Sequence, residues 1–251
     1  MRVERLDDRV VVTLDRPEAR NAIDQATIDE LHLVCAELEV QPRVLIITGA
    51  GGVFASGADI AELRERGATE ARQGINALAF IRIHDLPMPV IAAVDGWALG
   101  GGAELAYAAD IRIATPAAKF GNPETGLGII AAAGASWRLR EIVGDGRAAE
   151  LLLTGRTVDA DEALAIGLVS AVHAADELLA AAHALADRIA ANDPRATQLT
   201  KRVLAAPRDA HPGVELDAQA ELFESPEKMR RMTAFLDKRS LEKRGVERKP
   251  K

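Results

Sequence analysis

The chain has 251 residues, enough for one large domain or a domain with a helical appendage. Hydrophobic residues make up 48% and aromatics only 3%, so the core must be built from Ala, Leu, Val and Ile. Lys and Arg number 31 against 38 Asp and Glu, and the net charge of −7 argues against a nucleic-acid or anionic-membrane surface as the main partner. Cys35 is the only cysteine, inside an apolar helical pattern, so no internal disulfide framework forms, a cysteine-based metal site is not expected, and Cys35 reads as a small core residue. The N-terminus alternates charged and apolar residues without a signal-peptide run, and no stretch of 18 apolar residues occurs. The expectation is a soluble cytoplasmic protein.

Val10 to Leu14 reads as a strand by its β-branched content, and Asp15-Arg16-Pro17 breaks it. A helix follows Asn21-Ala22-Ile23-Asp24, with Ile28, Leu31, Leu33, Val34 and Leu38 expected on its buried side. Val44 to Thr48 is a second strand, apolar throughout and so expected to be covered on both faces. Strand, helix and strand at this spacing predict a parallel crossover unit. Gly49 to Ile60 then forms a glycine-rich turn leading into a short helix that ends near Arg66. Thr69 to His84 is predicted as one amphipathic helix, ended by Leu86-Pro87-Met88-Pro89.

The third apolar strand, Val90 to Val94, runs into Asp95-Gly96-Trp97-Ala98-Leu99-Gly100-Gly101-Gly102-Ala103-Glu104. Three consecutive glycines open an alanine-rich helix there, which lets a ligand approach the backbone and leaves the first helical N–H groups without partners. Such donors suit an anion or a developing oxyanion, and no phosphate-loop Lys-Ser/Thr accompanies them. Glu104, in the first turn of that helix, is favoured as a carboxylate by the helix dipole, by roughly 0.3–1 kcal/mol. Two such turns after successive strands place a shared site at the strand C-terminal ends.

Asp110 to Ala114 is a short alternating strand, and Glu124 follows an Asn-Pro turn. From Ala131 the chain turns helical, with one short strand possible in 167–172, and the charge-dense tail from Arg239 has little to bury. Glu104 and Glu124 together can act as base and acid, while the two glycine turns can each present one backbone N–H to polarise a carbonyl oxygen. The five histidines have no motif context, and no cluster has metal-ligand spacing.

These pieces, in order and at matching spacing over nearly the whole length, resemble the enoyl-CoA hydratase/isomerase (crotonase) family. They are Arg16-Pro17 with Asn21-Ala22, Phe54 to Ile60, Pro89 to Leu105, Asp110 to Ala114, Phe120 to Glu124, Leu153-Thr154-Gly155 with Ala163 to Val169, and Ala234 to Arg239. The resemblance implies an α/β fold: a spiral core of β-β-α repeats over residues 1–190 and a helical C-terminal region over 191–251 that trimerises, commonly as a dimer of trimers. It implies a CoA thioester substrate and no separate cofactor or metal, and a role in fatty acid metabolism. The thioester oxygen would be held by the N–H groups of Ala58 and Gly101. The adenine end would meet Ser56, Asp59, Ile60 and the Ala19-Arg20 segment, with Phe235 and Lys238 near the nucleotide phosphates, in some arrangements from a neighbouring subunit.

Members that hydrate a 2-enoyl-CoA carry glutamates at the positions of Glu104 and Glu124, and this chain keeps both. The resemblance therefore implies a hydratase in which Glu104 deprotonates water and Glu124 protonates C2. One stretch departs from the family pattern. Hydratases usually carry Pro-Gly-Ala-Gly-Gly and then Thr-Gln-Arg-Leu, where this chain has Ala131-Ala132-Ala133-Gly134-Ala135-Ser136-Trp137-Arg138-Leu139. That stretch is expected beside the second glutamate, shaping the acyl pocket. Trp97, Trp137 and the 60–66 helix either line the pocket or join the core. Competing readings are an enoyl-CoA isomerase, an acyl-CoA hydrolase or decarboxylase, and a non-catalytic acyl-CoA binder. RNA binding, known among relatives, is disfavoured by the negative charge.

Overall fold

The computed structural model describes the backbone of residues 1–247 and the side chains of residues 1–239. Strand β1 (Arg2–Arg5) pairs antiparallel with β2 (Arg9–Leu14), and helix α1 (Gln25–Val40) carries the chain to β3 (Val44–Gly49). Two short helices, α2 (Ile60–Glu65) and α3 (Ala68–Gln73), precede α4 (Ile75–His84), β4 (Val90–Val94) and β5 (Trp97–Leu99). Helix α5 (Gly101–Ala108) leads to β6 (Ile111–Ala114) and β7 (Lys119–Gly121). A five-residue π-helical turn at Ala135–Leu139 runs into α6 (Arg140–Val143) and α7 (Asp145–Thr154). Then follow β8 (Thr157–Asp159), α8 (Ala160–Ala165), β9 (Ala171–Val172) and α9 (Leu178–Ala190).

The larger sheet has the order β1-β2-β3-β4-β6-β9, parallel except at β1. Its strands read as continuous apolar runs because both faces are covered. Alternate residues point to opposite sides: Val10, Val12, Leu45, Ile47, Val90 and Ala92 join the main core. Val11, Val44, Ile46, Ile91 and Ala93 meet Leu178, Ala182 and Ala186 of α9, spaced by one helical turn. Helix α1 buries Thr27, Ile28, Leu31, Val34, Cys35 and Leu38 on one stripe, but Leu33, expected there, is exposed because two residues past Leu31 the helix has turned to its far side. Asp24 caps α1 by accepting from the Thr27 amide at 2.8 Å. Buried Arg9 fastens α9 to the sheet: it donates to the His183 carbonyl at 2.7 Å and pairs with Asp8 and Asp187.

A second, smaller sheet, β5-β7-β8, stands at the end of the larger one and holds the stretch that opens α5. Sequence periodicity did not find β5, because a three-residue strand is too short to show a period. The segment predicted as one helix over Thr69 to His84 is two, because Gly74 takes a left-handed conformation (φ 62°) between α3 and α4.

Residues Met1–Ala191 form one unit and residues from Asn192 onward a second. The second contains α10 (Pro194–Leu204), α11 (Gly213–Phe223) and α12 (Pro226–Glu247). It buries Leu199 and Ala218 but leaves Leu204, Leu216, Phe223, Met229, Met232, Phe235 and Leu236 exposed. The tail expected to fray from Arg239 stays helical along its backbone to Glu247; residues 248–251 lie outside the described residues. Among the described residues no helix is long and apolar enough to cross a membrane.

Candidate active site

The two glycine turns are stitched together by backbone bonds. Ala55 donates to the Trp97 carbonyl and receives from Leu99, both at 3.0 Å, so the first turn lies along β5. Ile23 donates to the Gly57 carbonyl at 2.8 Å and accepts from Asp59 at 3.0 Å. A residue flanked in this way by a bridge directs its own N–H and C=O to the opposite side. Ala58 is that residue. On the side its N–H faces stands Gly101: a methyl group added to Gly101 would fall 3.4 Å from the Ala58 nitrogen. Gly101 is the first residue of α5, so its N–H has no acceptor within the helix. The Ala58 nitrogen and the start of α5 therefore lie side by side.

Glycine is required here. Gly100 adopts φ 50° and ψ −124°, which L side chains avoid. A methyl group on Gly102 would sit 2.3 Å from the Ala55 carbonyl oxygen, so the approach of the two turns depends on a missing side chain.

Glu104 lies on the helix that starts here, and the Glu124 carboxyl group comes up against Gly100. Glu104 lies one turn into α5, its amide bonded to the Gly100 carbonyl at 3.0 Å, and its side chain is 3% exposed. Oε1 of Glu104 accepts from the backbone N–H of Ala133 at 2.7 Å and of Ala135 at 3.1 Å. Burial pushes its pKa up to about 7; the Ala135 and Ala133 amides oppose the rise, and the charge of Glu124 adds to it. Desolvation thus outweighs the helix dipole, which by itself favours full ionisation.

Glu124 follows Pro123 in a tight turn and is 8% exposed. A methyl group on Gly100 would fall 3.2 Å from its Oε1, so the carboxyl group stands against the Gly100–Gly101 step. Asn122 donates to that oxygen at 3.4 Å, while Oε2 is buried without a protein partner. Asn122 is itself held by the Tyr107 hydroxyl, which donates to its Oδ1 at 3.2 Å. Burial raises the pKa of Glu124 as well, against the lowering effect of the Asn122 bond.

The 131–137 stretch, expected beside Glu124, bonds to the first carboxylate, the Ala133 and Ala135 amides donating to Glu104. Position along the chain could not show this, because the bonds come from backbone N–H groups. Sequence reasoning also missed Asn76 and Arg138. Asn76 sits in the second turn-forming position of α4, its Nδ2 3.4 Å from where a Gly101 methyl would stand. Arg138 is 4% exposed and adds positive charge near Glu104. Neither belongs to a spacing pattern that sequence could reveal.

Ser56 bonds through its amide to the Arg20 carbonyl at 3.1 Å and through its hydroxyl to the Ala19 carbonyl at 3.4 Å. Asp59 caps α2 by accepting from Ala61 at 3.0 Å, and Ile60 begins that helix, 58% exposed. Ala19, Arg20, Ser56, Asp59 and Ile60 therefore share one rim with Ala58. Phe235 and Lys238 lie on α12 in the other unit, both exposed. Trp97 and Trp137 are neither of them core: each is partly exposed, beside Lys119 and Arg138 respectively. Helix α2 buries no residue either. Among the described residues no three His, Cys, Asp or Glu side chains group to hold a metal ion.

The family model for enoyl-CoA hydratase/isomerase matches residues 8–244. The chain belongs to that family. It is 43% identical over 241 residues to the short-chain-enoyl-CoA hydratase of Clostridium acetobutylicum, covering 92% of each chain. It is 40% identical to the crotonyl-CoA hydratase of Syntrophomonas wolfei, covering 94% of this chain and 95% of that one. The crystal structure of an enoyl-CoA hydratase from Bacillus anthracis superposes with a TM-score of 0.90 at 34% identity, over 94% of this chain and 96% of the other. The crotonase-like α/β fold of the family is thus the fold of this chain.

Proposed function

We propose that the protein is an enoyl-CoA hydratase that adds water syn across the 2,3 double bond of a 2-enoyl-CoA, giving a 3-hydroxyacyl-CoA. The observation that carries this reading is the pair of buried carboxyl groups, Glu104 in the first turn of α5 and Glu124 against Gly100, at a helix start that lies beside the Ala58 nitrogen.

Ionised Glu104 takes a proton from water as the water oxygen bonds to C3. The displaced electron pair moves through C2 to the thioester oxygen, where the N–H groups of Ala58 and Gly101 stabilise the developing charge; one such donor is worth ~10²–10³ in rate. C2 then takes the proton of Glu124, and transfer of a proton from Glu104 to Glu124, directly or through solvent, resets the pair. The division of roles follows the hydrogen bonds. Two amides stabilise the carboxylate form of Glu104, while Glu124 has one long bond and an oxygen with no partner, which suits the protonated form. A base that titrates at about 7 is matched to neutral solution.

The CoA portion would lie along the rim of Ala19, Arg20, Ser56, Asp59 and Ile60, with Phe235 and Lys238 at the nucleotide. The apolar residues exposed on α10 to α12 fit a trimer or a dimer of trimers. A cytoplasmic place in fatty acid metabolism fits the substrate class.

The test is loss of conjugated thioester absorbance with crotonyl-CoA and a longer 2-enoyl-CoA, for the wild type, Glu104→Gln and Glu124→Gln. Turnover by the wild type and a fall of roughly 10²–10⁴-fold in each variant is the expected outcome. A folded Glu104→Gln protein with near-full activity would sink the mechanism.

A further inference from the structure

Tyr107 is a buried titratable side chain that the proposed chemistry does not use, and it is the only tyrosine of the chain. It stands three residues past Glu104 on α5, so one face of that helix carries both. Its hydroxyl donates to Oδ1 of buried Asn122 at 3.2 Å. Asn122 directly follows β7, and its Nδ2 lies 3.5 Å from the Gly100 carbonyl oxygen and 3.4 Å from Oε1 of Glu124.

These contacts allow the carboxamide only one way round. A carbonyl oxygen only accepts, so the side of Asn122 toward Gly100 is its NH2 group, and Oδ1 is left for the hydroxyl. The two bonds of the NH2 group are long, and the hydroxyl makes the shortest of the three. Without it Oδ1 would be a buried acceptor with no donor, and a turned amide would bring that oxygen against Glu124. An N–H toward the carboxyl group favours its ionised form, whereas a carbonyl oxygen there favours the protonated one.

We propose that Tyr107 is a positioning residue for the acid: through Asn122 it keeps an N–H aimed at Glu124 and so keeps that group able to release its proton to C2. This inference rests on the hydratase reading. Burial pushes the Tyr107 pKa up, so the hydroxyl stays a donor while the carboxyl groups titrate. The other charges that act on Tyr107 or on the carboxyl pair are Arg112 of β6 and Arg138. Helix α7, packed on the turn that carries Glu124, turns only Ala148 and Leu151 inward, and its Arg147 and Glu150 are exposed. Lys119 of β7 and Asp159 of β8 are exposed as well.

The experiment records kcat/KM for crotonyl-CoA against pH in the wild type, Tyr107→Phe, Asn122→Ala and the double variant, with thermal unfolding beside it. Phenylalanine keeps the ring and removes the hydroxyl alone. In Tyr107→Phe, kcat should fall roughly ten-fold with KM changing less than about two-fold. The alkaline limb should move to higher pH, as in Asn122→Ala. The double variant should move no further than Asn122→Ala, because the hydroxyl acts through the amide. An unmoved limb in Tyr107→Phe, or shifts that add in the double variant, overturns the inference and leaves the hydroxyl a structural bond. If the wild type does not hydrate crotonyl-CoA, the hydratase reading fails by itself. In that case, or if Tyr107→Phe does not fold, 3-fluorotyrosine reads the contact, since it labels position 107 alone. Its fluorine resonance should show a step with pH that Glu124→Gln and Asn122→Ala each remove. A titration the same in the wild type and either variant overturns the inference.

Discussion

Replacing Glu104 by Gln should weaken catalysis and strengthen the fold, and the second effect should depend on pH in a defined way. Gln keeps an acceptor for the Ala133 and Ala135 amides but cannot ionise. In the native protein burial raises the Glu104 pKa from about 4.5 to about 7. A folded pKa above the unfolded one means that the native state binds a proton that the unfolded chain releases. Stability is therefore lost as pH rises from about 4.5, and the loss is complete above about 7. At about 1.4 kcal/mol per pH unit, the ionised side chain costs roughly 3 kcal/mol at pH 8 and nothing at pH 4. Urea unfolding at fixed protein concentration, at pH 4.5, 6, 7 and 8, should show the variant gaining on the wild type across this window and levelling off beyond it. A difference that is flat with pH, or that grows toward acid, would refute the burial argument.

Other predictions follow from the same geometry. Asn122→Ala removes the bond that lowers the Glu124 pKa, so the alkaline limb of kcat/KM, where the acid loses its proton, should move to higher pH. The same variant strands the buried Tyr107 hydroxyl and should cost about 1–3 kcal/mol in urea unfolding. Gly102→Ala forces a methyl group against the Ala55 carbonyl, so it should lower the melting temperature and abolish turnover together, read by scanning calorimetry and the crotonyl-CoA assay. The acidic limb of kcat/KM in the wild type should report a base near pH 7, and it should be absent from the residual rate of Glu104→Gln.

The larger sheet was legible because fully covered parallel strands leave unbroken apolar runs, as at Val44 to Thr48 and Val90 to Val94. Helix α1 was legible from its stripe, and the two glycine turns from their composition. The smaller sheet and the break at Gly74 were not, since β5 and β7 are three residues each and a lone glycine inside a helical pattern has two readings.

Residue types and their order by themselves determined the family, the two carboxyl groups and the two glycine turns, because these are properties of the chain that no folding event alters. The charge states and the supporting contacts were decided only in three dimensions. The helix dipole is local and could be read at Glu104, but the burial that overrides it comes from the whole surrounding core. The Ala133 and Ala135 amides reach Glu104 from 29 and 31 positions away, and backbone donors carry no sequence signature. Asn76 was invisible for the same reason: its neighbour Gly101 stands beside it only because α4 and α5 pack together.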